Sequence, residues 1–242
     1  MVAEGTAAGL ADVLRDAFGW SEAIAVAPGP RGATARIWKV TRGRDRYALK
    51  EGRGKPPSPE AIAGEVAFVE QAASAGVRVP RPHADQAGRW VVPGPDDSWL
   101  RLYDWVDVHP VDLTAASTPR AVGELFARLH RGSAPMPAEP DGSAPDPWYE
   151  RPPAIAELAA ATVADAPWSD RLSRRVAGLP AVLQVVAPSD PRRLVRCHRD
   201  LHPGNVLEDA SGALVVIDQD DLGPAEPARE LARALFDWWS DP

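Results

Sequence analysis

The stretch Cys197-His198-Arg199-Asp200-Leu201-His202-Pro203-Gly204-Asn205-Val206-Leu207 contains the pattern H-x-D-x-x-x-x-N, and Asn205 is the only asparagine in the chain. Beyond it, Asp218 closes the apolar run Ala213-Leu214-Val215-Val216-Ile217, and Asp220 follows two residues later. A carboxylate at the end of a buried strand is costly unless it holds a cation or caps a turn. These groups suit phosphoryl transfer. Asp200 would orient an attacking hydroxyl and take its proton, while the Asn205 amide oxygen and the Asp218 carboxylate supply the hard oxygen ligands that Mg²⁺ demands. The reaction also needs a cation on the phosphates of a nucleotide. Lys50, at the end of Tyr47-Ala48-Leu49-Lys50, offers one. Glu65 lies three residues after Ile62 and four before Val69, so it shares the apolar side of its helix and is placed to aim Lys50.

Neighbouring residues read more plainly. Cys197 ends an apolar strand and reads as a small core residue. His198 reads as a buried imidazole that braces the loop, not as a proton carrier. Asp220 is either a supporting acid or, with Asp221, part of a solvated turn. Trp238 and Trp239 read as packing for the last helix.

The elements that must hold these groups follow from periodicity and punctuation. Leu10, Val13, Leu14 and Phe18 recur at helical spacing, and Gly19 ends that helix. Strand-like runs follow at 24–27, 36–41 and 46–51, separated by Pro28-Gly29-Pro30-Arg31-Gly32 and Arg42-Gly43-Arg44-Asp45. The next helix is marked by Ser58 as N-cap, Pro59 at its first position and Gly76 after its end, with Ile62, Val66, Val69 and Ala73 as its stripe. Strands are expected at 90–92 and 99–106, and a helix begins at Thr118-Pro119. Seven prolines between 133 and 153 predict an extended linker. Helices are then expected at 154–164 and 168–186, strands at 194–197 and 213–218, and an amphipathic helix from Pro227. The result is an α+β chain with a β-rich first lobe (1–105) containing one long helix, and a mostly helical second lobe (106–242). A cleft between them is the expected ligand site.

Composition narrows the function classes. The 242 residues carry a net charge of −7, and 24 of the 27 basic residues are arginine. That balance argues against a nucleic-acid or anionic-membrane partner. One cysteine forms no internal disulfide. No uncharged run approaches the ~20 residues of a membrane span, and acidic residues interrupt the N-terminus where a signal peptide would be apolar. The sequence reads as a cytoplasmic protein.

The set His198-x-Asp200-x-x-x-x-Asn205, Ile217-Asp218-x-Asp220, Lys50 and Glu65 resembles the aminoglycoside phosphotransferase family of small-molecule kinases, which share the protein-kinase-like fold. The stretch from Glu65 to Ala75-Gly76-Val77-Arg78-Val79-Pro80-Arg81-Pro82 and the segment Gly223-Pro224-Ala225-Glu226-Pro227-Ala228-Arg229-Glu230-Leu231-Ala232 resemble family segments too, so the likeness spans about residues 20–240. It implies a bilobal fold with a nucleotide-binding lobe at 1–105 and the catalytic and metal-binding loops in 106–242. It implies Asp200 as catalytic base, Asn205 and Asp218 as Mg²⁺ ligands, and Lys50 as the phosphate-binding lysine oriented by Glu65. His198 and Asp220 are supporting residues. The segment Leu102-Tyr103-Asp104-Trp105-Val106 would be the hinge, its backbone at Asp104 and Val106 meeting the adenine, and the loop from Gly29 to Thr34, with Gly32 in it, would cover the phosphates.

Arg199 stands where the family usually has a small residue, Gln219 where an aromatic is common, and Glu230 where Asp is usual. The family continues into further helices that build much of the acceptor pocket, so the C-terminal helices are expected to be short or missing here. The implied activity is transfer of the γ-phosphate of ATP, or alternatively GTP, to a hydroxyl of a small molecule, with a cationic antibiotic the favoured acceptor. A choline-, homoserine- or sugar-type metabolite kinase and a nucleotide-binding pseudokinase are the alternatives, in a monomer or dimer.

Overall fold

Alternating apolar residues build the first sheet. The computed structural model describes residues 2–31, 35–136, 166–183 and 189–239. Its early strands are β1 (Ile24–Arg31), β2 (Arg36–Arg42), β3 (Asp45–Arg53), β4 (Pro82–His83), β5 (Val92–Pro93) and β6 (Ser98–Asp104). They form one sheet in the order β1-β2-β3-β6-β4, with β5 also on β6. Trp38, Val40, Leu49, Leu100 and Leu102 on one face pack with Leu10 and Leu14 of helix α1 (Val2–Phe18). Each of these seven is at most 2% exposed, and burying such a side chain contributes about 1.5–3 kcal/mol. Since successive strand residues point to opposite faces, Ala48 and Lys50 of β3 and Arg101 and Tyr103 of β6 are directed to the other face.

Helix α2 (Pro59–Ser74) starts as its sequence predicts, with the Ser58 hydroxyl accepting from Ala61 N–H at 3.2 Å. Gly76 adopts φ +72° just past its end, a conformation that favours glycine. The buried face is Ile62, Glu65, Phe68, Val69 and Ala72. Phe68 and Ala72 replace the expected Val66 and Ala73, a small rotation of the stripe that still carries Glu65 inward.

Three further differences have physical reasons. β1 runs on through Pro28-Gly29-Pro30, where a turn is expected. It is an edge strand paired only with β2, and its register shifts between Pro28 and Arg31, so the missing proline donors are tolerated. β7 (Val108–Pro110) and β9 (Val206–Asp209) are strands that the sequence does not announce. With β10 (Leu214–Val216) they form a sheet in the order β10-β9-β7. Finally, the chain divides into two compact units, 1–132 with 200–222 and 133–199 with 223–242, not at 105/106. β7 commits the segment after 105 to the β9–β10 hairpin, and helix α3 (Thr118–Arg131) is tied to α2 by a Gln71 side-chain bond to the Leu129 carbonyl at 2.9 Å.

The second unit contains helix α4 (Ser169–Leu183), helix α5 (Pro227–Trp239) and a two-stranded ribbon of β8 (Val195–Cys197) with β11 (Gly223–Ala225). The expected linker beyond 136 and helix at 154–164, together with Gly32, lie outside the described residues. Among the described residues no helix is long and apolar enough to cross a membrane.

The β9–β10 turn is closed by Asp209. Its Oδ1 accepts from the Ser211 hydroxyl at 2.6 Å, the Ser211 N–H at 2.8 Å and the Ala213 N–H at 3.2 Å. These bonds, the Ser211 hydroxyl foremost, hold its carboxyl down to about 2. A depressed folded-state value contributes stability that is complete above the unfolded carboxyl value, about 3.9, and is lost as pH falls through the folded one. Chemical denaturation of the wild type and Asp209→Asn should therefore show a stability gap that narrows as pH is lowered from about 5 to about 2. A gap constant over that range would contradict the assignment.

Candidate functional site

The register of β3 and β6 fixes the first part of the site. Lys50 lies directly opposite Arg101, and Ala48 opposite Tyr103. Lys50, 9% exposed, donates through Nζ to Asp220 Oδ2 at 2.5 Å and to Asp218 Oδ1 at 3.1 Å. Glu65 reaches the same face from α2, but it does not meet Lys50. Its Oε2 accepts from Arg101 Nη1 at 2.5 Å, and both side chains are almost fully buried. The expected Lys50–Glu65 pair is thus replaced by two separate ones. The reason is the register: Arg101 stands beside Lys50 as a second buried cation, and its guanidinium is the more weakly hydrated of the two. Burial pushes the Tyr103 hydroxyl well above its ordinary range, reinforced by the nearby Glu65 carboxylate.

The second part is the 200–206 loop and the hairpin that carries it. Asn205 Nδ2 donates to the Asp200 carboxylate at 2.9 Å and to the Asp200 carbonyl at 3.0 Å. His202 binds the Gly204 N–H through Nδ1 at 2.9 Å, and its Nε2 lies 3.5 Å from Asp200 Oδ2. The Ile217 N–H donates to the Asn205 carbonyl at 2.9 Å, which ties the start of the Asp218 turn to the loop. Asp218 itself has φ 60° and ψ 74°, a strained setting for a non-glycine residue. The short 3-10 turn that follows is pinned by Gln219, a buried side chain whose Nε2 donates to the Val216 carbonyl at 3.3 Å.

The donor chemistry of this loop suits a hard divalent cation. Both Asn205 N–H bonds go to Asp200, so the amide oxygen remains as an acceptor not used by either bond. Asp218 adds a half-exposed carboxylate. These are the oxygen ligands Mg²⁺ prefers.

At the end of β6, the Asp104 N–H donates to the Arg81 carbonyl at 2.9 Å, and its carboxylate pairs with His83 Nε2 at 2.7 Å. The Val106 N–H makes no hydrogen bond among the described residues. A cavity of about 490 Å³ borders Asp104, Trp105 and Val106, but its lining includes Arg46, Arg78 and Arg81 and none of Lys50, Asp200, Asn205 or Asp218.

In the second unit, His198 is fully buried. Arg199 adopts φ 65°. Its N–H donates to Glu230 Oε1 at 2.5 Å and its carbonyl accepts from Arg233 Nη1 at 2.5 Å. Helix α5 therefore grips the peptide groups on both sides of Arg199, one residue before Asp200. From the sequence, Glu230 stands out as a departure from Asp and as one of the acidic residues near the C-terminus, whereas Arg233 and Arg101 do not stand out. A charged residue recurring on a helix face that is otherwise buried was the available signal for Glu230, whereas Arg101 gave none. Glu230→Ala removes the Oε1 acceptor of the Arg199 N–H and should lower unfolding free energy by about 1–3 kcal/mol. Urea titration checks this, and an unchanged midpoint would show that the grip contributes nothing.

Residues 25–242 match the profile of the Phosphotransferase enzyme family. No curated protein matches the sequence. Among solved structures, the microcompartment-associated aminopropanol kinase superposes with a TM-score of 0.68 at 21% identity, covering 93% of this chain and 73% of that one. Amicoumacin kinase hAmiN, solved with AMP-PNP, Ca²⁺ and Ami, gives 0.62 at 22% identity over 88% of this chain. Choline kinase LicA from Streptococcus pneumoniae gives 0.58 at 16% identity, covering 96% of this chain and 74% of that one. This chain spans 63% of the length of the amicoumacin kinase chain. At these identities the likeness establishes the fold, the kinase-like α+β arrangement that the motifs imply.

Proposed function

The chain belongs to the Phosphotransferase enzyme family, and from that premise we propose that it transfers the γ-phosphate of ATP to a hydroxyl of a small molecule. The observation that carries the reading is the Asp200–Asn205 loop tied to the Asp218 turn, with Lys50 already paired to acids of that turn.

In this reading Asp200 accepts the proton of the acceptor hydroxyl as its oxygen attacks the γ-phosphorus. The new O–P bond forms while the bond to the β,γ-bridging oxygen breaks, and ADP leaves with that electron pair. The two Asn205 bonds hold the Asp200 carboxyl in one orientation. Lys50 exchanges its Asp218 contact for phosphate oxygens, a substitution of one anion for another that leaves no buried cation unpaired. Asn205 and Asp218 would hold Mg²⁺, which when bound supplies neutralisation of the phosphate charge. The Val106 N–H and the Asp104 carbonyl are the backbone groups offered to the adenine.

The net charge of −7 supports a cationic acceptor, with an antibiotic favoured. The acidic residues near the C-terminus support it less than their number suggests. Glu226 accepts from the Asp190 N–H, Glu230 from Arg199 and Asp237 from Arg233, so these carboxylates serve the protein itself.

ADP release measured by a coupled assay against aminoglycosides, peptide antibiotics, macrolides and small amino alcohols should identify at least one acceptor. With that acceptor Asp200→Asn should lower kcat by roughly 10²–10⁴-fold. If no compound raises ADP release above that of Asp200→Asn, the reading is wrong.

A further inference from the structure

Two cations, Lys50 and Arg101, face each other across β3 and β6 with 9% and 3% exposure. Neither is stable there without an anion. Glu65 serves Arg101, and Asp218 with Asp220 serves Lys50. The two arrangements differ in how easily they exchange partners. The Arg101–Glu65 side chains are 2% and 6% exposed, whereas Asp218 and Asp220 are 41% and 45% exposed. A buried pair resists separation because each partner left behind is an uncompensated charge. Half-exposed carboxylates can turn to water or to another cation.

This partition has a consequence for the phosphate lysine, one that rests on the function proposed above. Once Asp218 serves as a metal ligand, it no longer belongs to Lys50 alone, and Glu65 is paired through Oε2 with Arg101. We propose that Asp220 is the positioning residue for Lys50, holding the ammonium toward the nucleotide phosphates in the place the sequence motif gives to Glu65. Lys50 Nζ donates to Asp220 Oδ2 as well as to Asp218 Oδ1, so Asp220 keeps the ammonium paired when Asp218 turns to a metal. Its aim is set by the strained Asp218 and by buried Gln219, which pins the turn to the Val216 carbonyl. Gln219, the residue that departs from the family's usual aromatic, thus acquires a purpose. The Arg101–Glu65 pair is a tether between β6 and α2, and it acts on the nucleotide only through the position of that helix.

The test compares nucleotide affinity across variants, measured by calorimetry with an imido analogue of ATP and Mg²⁺, alongside thermal unfolding without nucleotide. Asp220→Asn removes a half-exposed carboxylate, so its melting temperature should stay near the wild-type value. Its affinity should fall by roughly tenfold or more, the usual effect of losing a hydrogen bond to a charged group. Glu65→Leu with Arg101→Met replaces the whole buried pair by apolar side chains, a change such pairs tolerate, and should weaken binding less than Asp220→Asn does. The opposite ranking, with the double variant the weaker binder, returns Lys50 to Glu65 and overturns the proposal. Should the double variant fail to fold, Asp220→Asn decides alone: wild-type affinity overturns the role of Asp220. Lys50→Met separates the two levels of the argument. If it binds the analogue as the wild type does, or if the wild type does not bind, the phosphate role of Lys50 itself falls.

Discussion

Two buried cations on one face of a sheet must each be neutralised, and the arrangement of the first unit follows from how that is done. The β3–β6 register sets Lys50 beside Arg101. One cation draws Glu65 inward from α2 and binds that helix to the sheet. The other draws Asp218 and Asp220, which begin 168 residues further along the chain, and brings the return segment 200–222 into the same compact unit. Without these acids the face would hold unpaired charge, which protein interiors do not tolerate.

The return segment is rigid for local reasons. The β9–β10 hairpin is closed by the Asp209 turn, and the Ile217 N–H fixes the end of β10 to the Asn205 carbonyl. Asn205 in turn spends its amide hydrogens on Asp200. A proton acceptor, an amide oxygen and a carboxylate are thereby held on one short stretch of backbone, with strain concentrated at Asp218. Such strain persists only where the surroundings over-determine it, and here Lys50 and Gln219 do so from either side.

Much of this was legible in the sequence because it is local. The spacing of Asp200 and Asn205 lies within one loop, Ser58 and Gly76 bracket α2, and the apolar run before Asp218 reads directly as a strand. What was not legible depends on partners distant in the chain. Nothing around Arg101 marks it as the residue that would take Glu65, since that choice is made by strand register. The prolines of β1 read as a turn until the strand is known to be an edge. β7 and β9 are short strands defined by their pairing, β7 on β9 and β9 on β10 as well. The division near residue 105 followed the change from strands to helices, whereas the compact units follow the pairing of β7 with the returning hairpin.

The division of charge between Lys50 and Arg101 is most directly measured by double-mutant cycles on unfolding free energy. Arg101→Met with Glu65→Leu should be non-additive by about 0.5–3 kcal/mol, as residues in contact are, while Lys50→Met with Glu65→Leu should add to within about 0.5 kcal/mol. Strong coupling between Lys50 and Glu65, with none between Arg101 and Glu65, would contradict the account.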